Sequence, residues 1–214
     1  MIPCLSLPDL PSLLAQIRDL TERYKAGIDP HSFEAFKDLV HLLFSYTILA
    51  DGQALRLMKG QHEASRVLCG WAPLEPLKLI DNRYLSLSMT LFLEKTDKGP
   101  RVKVAGSKFQ YQLDNLGDAW IFRYDYARES PNKHPSNHLH IRVTLTEQCL
   151  ADKQLLEHIH FSTDRVSFES VIRLLIEQFG IVPKSPQEIW RPMLAESERL
   201  FKEIAHKSLS GPAH

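Results

Sequence analysis

The chain is predicted to be α+β, with a mostly antiparallel sheet, a meander of about five strands, covered by N-terminal and C-terminal helices. Three observations predict it. Apolar residues recur at helical spacing in the first fifty residues, switch to a two-residue period between residues 84 and 161, and return to helical spacing from Ser167. A length of 214 residues, 43% apolar and 24% charged, is enough for one buried core. The expected organisation is a single domain over 1–207, with a helical N-terminal part at 10–50, the sheet at 84–161 and helices at 167–207, then a disordered tail at 208–214.

Leu10, Leu13, Leu14, Ile17, Leu20 and Tyr24 define the first amphipathic helix, which Gly27 closes. Asp29 followed by Pro30 supplies an N-cap and a first-turn proline for a second helix carrying Phe33, Phe36, Leu39, Val40, Leu43 and Phe44. Residues 52–83 carry a weak signal, in which Val67 to Trp71 reads as a short strand before Pro73 and Pro76. Extended segments follow at 84–93, 102–113, 119–126, 137–145 and 156–161, with turns at Asp97-Lys-Gly-Pro100 and Asp114-Asn-Leu-Gly117. Ser167 caps a helix whose stripe is Phe168, Val171, Ile172, Leu175, Ile176 and Phe179, and Gly180 ends it. Ser185-Pro186-Gln187-Glu188 has the capping-box pattern, while Pro192 either kinks the last helix or marks its start.

Lys plus Arg and Asp plus Glu each number 26, so the net charge is zero, which argues against general affinity for nucleic acid or anionic membrane. Cys4, Cys69 and Cys149 are odd in number and in no Cys-x-x-Cys arrangement, which points to free thiols and the cytoplasm. The first eleven residues hold three prolines and no basic apolar leader, so export by a signal peptide is not expected. No stretch approaches the roughly 20 apolar residues of a membrane span.

Five of the ten histidines lie between His134 and His160, and four form the pairs His138-Leu-His140 and His158-Ile-His160. Alternate residues of a strand share a face, so each pair sets two imidazoles on one side. By the same period Trp120, Phe122, Tyr124 and Tyr126 form an apolar face, and Arg123 and Asp125 sit on the other with Ile121. The linker 127–136, with Pro131, His134 and Pro135, has the length of a lid or substrate loop.

Three chemistries fit a face holding Arg123, Asp125, His138, His140, His158 and His160. The first is a divalent transition metal held by the four histidines and Asp125. The second is hydrolase-like acid–base catalysis on a phosphodiester or nucleic acid, with those histidines as acid and base and Arg123 or Arg142 holding the phosphate. The third is a non-catalytic interaction module, homo-oligomeric in one version, in which the histidines are surface or structural residues. The hairpin around Lys95, Lys98, Arg101, Lys103 and Lys108 is locally basic, which a solvated turn explains.

His160-Phe-Ser162 resembles the His-x-Ser/Thr unit of two-histidine phosphoesterases, but His140 stands where that family has Ser or Thr, so its mechanism is not carried over. Trp120-x-Phe-x-Tyr-Asp, His134-Pro-x-x-His138-x-His140 and His160 together resemble an uncharacterised bacterial protein family of unknown function, over roughly residues 119–180. That resemblance implies a shared histidine pattern and no particular activity.

Overall fold

The structure, a computed structural model, describes residues 9–62, 65–70, 75–96, 99–128, 136–142 and 166–206. Its first helix, α1 (Leu10–Lys25), begins where Asp9 accepts a 2.8 Å hydrogen bond from the Ser12 N–H, and it buries Leu13, Ile17 and Tyr24. Gly27 follows at φ 67°, and a Cβ there would lie 1.8 Å from the Pro100 carbonyl oxygen, so only glycine lets the chain pass this hairpin. Helix α2 (His31–Ser45) buries Phe33, Phe36, Leu39, Val40, Leu43 and Phe44. Asp29 does not cap it; its carboxylate instead faces the Arg66 guanidinium at 3.3 Å, and no side chain caps this helix.

Seven strands follow: β1 (Arg56–Lys59), β2 (Ser65–Cys69), β3 (Leu77–Lys78), β4 (Tyr84–Thr96), β5 (Gly99–Gln112), β6 (Trp120–Ala127) and β7 (Asn137–Ile141). They form one antiparallel sheet in the order β1-β2-β4-β5-β6-β7, with β3 also on β4. The α+β expectation holds, and the poorly patterned stretch at 52–83 supplies three short strands, β2 coinciding with the Val67 segment. The strand expected at 156–161 lies outside the described residues.

Helices α3 (Phe168–Glu177) and α4 (Gln187–His206) complete the fold. Ser167 caps α3 by accepting from the Ser170 N–H at 3.2 Å, and Gly180, at φ 70°, follows its end. Ser185 does not cap α4: its hydroxyl is buried without a hydrogen bond, and the Pro186 carbonyl takes the first N–H groups, from Ile189 and Trp190. Pro192 neither starts nor stops the helix, because it lies in the second turn, where only one intrahelical bond is lost.

The helices share one apolar core with the sheet, α1 meeting β5 and α2 meeting β1, while α4 packs on α1 and α3 bridges α2 and α4. Leu85, Leu87, Met89 and Leu91 of β4 and Phe109 and Tyr111 of β5 form the floor of that core with Phe122 and Tyr124 of β6. Phe179 closes over Tyr111 and Phe122 at ring-centroid distances of 5.1 and 5.4 Å, and Phe168 meets Phe36 edge-on at 6.2 Å. No helix among the described residues is long and apolar enough to cross a membrane.

The outer helices are tied by charge as well. Glu196 of α4 sits between Arg199 at 2.9 Å and Arg18 of α1 at 2.7 Å, and these guanidiniums hold its carboxyl down at about 2. A depressed folded-state pKa contributes stability above the ordinary glutamate value of about 4.3 that is lost as pH falls toward 2. Glu196→Gln should therefore unfold more easily than the native chain at pH 6, and the two should converge near pH 2 in urea titrations. A constant difference across that range would place the effect in packing.

Candidate functional site

The opposite face of the sheet carries the polar residues, and strand register explains why. Arg123 pairs with His140 and Asp125 with His138 across β6 and β7, while on the other flank Gln110 pairs with Arg123 and Lys108 with Asp125. Continuing into β4, two rows cross the sheet: Ser86, Gln110, Arg123, His140 and Ser88, Lys108, Asp125, His138. Side chains directly opposite one another on one face are about 5 Å apart at Cβ, so each row is a line of contacts.

Within those rows four groups converge. The Arg123 Nε–H donates to Asp125 Oδ2 at 2.6 Å, and His140 Nε2 lies 3.4 Å from the same oxygen. The His138 and His140 rings meet edge to face at 5.4 Å, as residues two apart on a strand should. One donor atom from each of Asp125, His138 and His140 falls within 4.8 Å of the others. Asp125 and His138 are half-buried and His140 is exposed, so the group is open to solvent on one side.

A register shift between Tyr111 and Gln112 changes one sequence expectation. Gln112 pairs with Trp120 and Tyr111 with Phe122, so the bulge gives β6 an extra residue at Ile121. Trp120 therefore leaves the apolar row of Phe122 and Tyr124, and its ring lies 5.9 Å beneath the Arg123 guanidinium. Ile121 is buried rather than sharing the solvent-facing side of Arg123 and Asp125. Strict alternation cannot reveal a bulge, so the sequence period gives no sign of the indole that helps to hold Arg123 over Asp125.

The neighbouring part of this face is closed. Asp114 Oδ1 accepts from the N–H groups of Leu116, Gly117 and Asp118, and its Oδ2 from that of Ala119. Desolvation acts to raise its pKa, but the four backbone bonds together outweigh it and hold the carboxyl below the usual range. The turn so formed brings Gly117 over Gln110 and Gln112, whose amides bond each other at 2.9 Å and are buried. The open part of the rows is thus the β6–β7 end.

Of the six residues expected to share a site, Arg123, Asp125, His138 and His140 come together; His158 and His160 lie outside the described residues, as do His134 and most of the 127–136 linker. Arg142 follows β7 and donates its backbone N–H to the Ile121 carbonyl at 3.0 Å. In the basic hairpin Lys103 lies 3.1 Å from Glu94, which also faces Arg128, just past the end of β6, at 3.8 Å. Cys69 is a buried free thiol.

The chain matches no protein-family model, no curated protein and no solved structure, so the chemistry of these side chains is the sole guide to what the face does.

Proposed function

We propose that the β6–β7 face is a metal centre in which Asp125, His138 and His140 are the protein ligands of a divalent first-row transition ion. The observation that carries this reading is the approach of one carboxylate and two imidazole donors to within 4.8 Å on two hydrogen-bonded strands. Two nitrogens and one oxygen suit zinc, manganese or non-haem iron, and three protein ligands leave positions for water or substrate. Metal–ligand bonds of about 2.1 Å require donors roughly 3.0–3.5 Å apart, so binding draws the side chains inward by about 1 Å. The exposed His140 ring and the half-buried His138 ring can rotate that far without disturbing the strands, whose hold is the apolar face.

Arg123 has two consequences for this centre. Its bond to Asp125 fixes the carboxylate, as a partner outside the coordination sphere commonly does. Its positive charge also lowers affinity for a cation, which suits a site that takes an anionic substrate beside the ion, and Lys108 in the adjoining row adds to that field. The class of reaction this favours is metal-assisted hydrolysis of a phosphate ester, for which an ion held by Asp125, His138 and His140 would supply Lewis acidity and a water of lowered pKa. The buried thiol of Cys69 suits a reducing compartment.

The test is titration of untagged, chelator-treated protein with zinc, manganese and ferrous iron by calorimetry. The expected result is one ion per chain for at least one metal. Absence of saturable binding for all three would end the metal reading.

A further inference from the structure

A second site lies on the helix-bearing side of the sheet, away from the histidines. Between β4, β5, the first turn of α3 and the outer half of α4 is a cleft of about 230 Å³. Met89, Val104, Phe168 and Phe201 give it apolar walls, and two carboxylates, Glu169 and Glu198, are among its lining residues. The two acids differ in their company. Glu198 accepts from Arg173 at 2.6 Å and faces Lys202 at 2.8 Å, so its charge is balanced.

Glu169 is fully buried in the first turn of α3. Its Oε1 accepts from the Ser197 hydroxyl at 2.7 Å, and its Oε2, also buried, has no hydrogen-bond partner. Desolvation pushes its pKa up, opposed by the bond from Ser197 and by the nearby Ser167 hydroxyl and its own backbone N–H, neither of which makes a hydrogen bond to Oε2. The nearby Tyr24 hydroxyl is likewise buried without a partner, and its pKa is raised by burial first and by the charge of Glu169 second. Buried carboxylates are found paired with a cation or bonded at both oxygens, and neither condition is met here among the described residues. The sequence carries the signal: Glu169 stands three residues before Ile172, inside the stripe that buries this helix.

We propose that this cleft binds a small primary amine in its ammonium form, with Glu169 receiving the charged head and Met89, Val104, Phe168 and Phe201 enclosing an apolar body. An ammonium supplies what the carboxyl lacks: a compact positive charge and donors for the unbonded oxygen. A neutral donor supplies only the second. The volume is below that of common drug-sized pockets, which restricts the ligand to about ten non-hydrogen atoms.

The experiment uses the full chain and three probes of one shape: phenethylamine, 2-phenylethanol and ethylbenzene. Binding is followed by NMR of the Met89 and Val104 methyl groups. Phenethylamine should shift both saturably and bind about tenfold or more tightly than 2-phenylethanol, with ethylbenzene weakest. Glu169→Gln, which keeps the shape and the bond to Ser197, should abolish the preference for the amine. Ser107→Leu, which fills the cleft from the sheet, should weaken all three probes. Equal affinity of the native chain for amine and alcohol would overturn the proposal, as would shifts that avoid Met89 and Val104 or fail to saturate. Because the native comparison needs no variant, instability of Glu169→Gln leaves the test intact.

Discussion

Alanine at His138 or at His140, and asparagine at Asp125, should each lower the affinity for the bound ion by at least about a hundredfold while leaving the fold unchanged. Changing only an outer-shell partner typically costs 10–100-fold in affinity, so loss of a direct ligand should cost no less. The fold should survive because the strands are held from the other face, by Phe122 and Tyr124 of β6 against the helices. Calorimetric titration gives the affinity and far-ultraviolet circular dichroism the fold. Arg123→Ala should behave differently, because removing the guanidinium both relieves repulsion of the cation and frees the carboxylate to turn. These effects oppose, and the net change should stay within about tenfold. If Arg123→Ala abolished binding while His138→Ala and His140→Ala did nothing, the site would be one for anions.

The largest effect on stability is expected at the centre of the opposite face. Phe122 is fully buried, with Tyr111, Tyr124 and Phe179 at centroid distances of 5.6, 5.5 and 5.4 Å. Truncating a buried phenylalanine to alanine costs about 3–5 kcal/mol, part from lost transfer energy and part from the cavity left between rings that cannot collapse onto it. Domains are stable by only about 5–15 kcal/mol, so Phe122→Ala should bring the chain near its unfolding threshold. Urea unfolding of Phe122→Ala beside His138→Ala checks the division of labour between the two faces of one strand. The first should lose several kcal/mol and the second less than about 1 kcal/mol, as surface substitutions do. Comparable losses would mean that the histidine face is packed rather than open.

Much of this division is legible before any coordinates. The period-two run from Phe122 to Tyr126 and the pair His138-x-His140 each fix which residues share a face, and both faces appear as read. What the period cannot supply is the partner across the ladder. That Arg123 stands opposite His140, and Asp125 opposite His138, depends on register, which the long linker between β6 and β7 leaves undetermined. The Trp120 misplacement has the same origin: a one-residue bulge reverses alternation without altering composition. Strands β1 and β3 are not legible in the sequence because runs of four and two residues carry too little pattern to register as a period. Asp29 failed as a cap because Arg66, thirty-seven positions away, holds its carboxylate.

The central claim is that Asp125, His138 and His140 bind one ion together, and ligand identity tests it more directly than affinity. X-ray absorption at the edge of the bound metal, on untagged protein loaded with one equivalent of zinc, reads the coordination sphere. Two imidazole nitrogens and one carboxylate oxygen at about 2.0–2.2 Å are predicted, with a shell that loses one imidazole in His140→Ala. A sphere of water oxygens without imidazole, or one unchanged by His140→Ala, would contradict it.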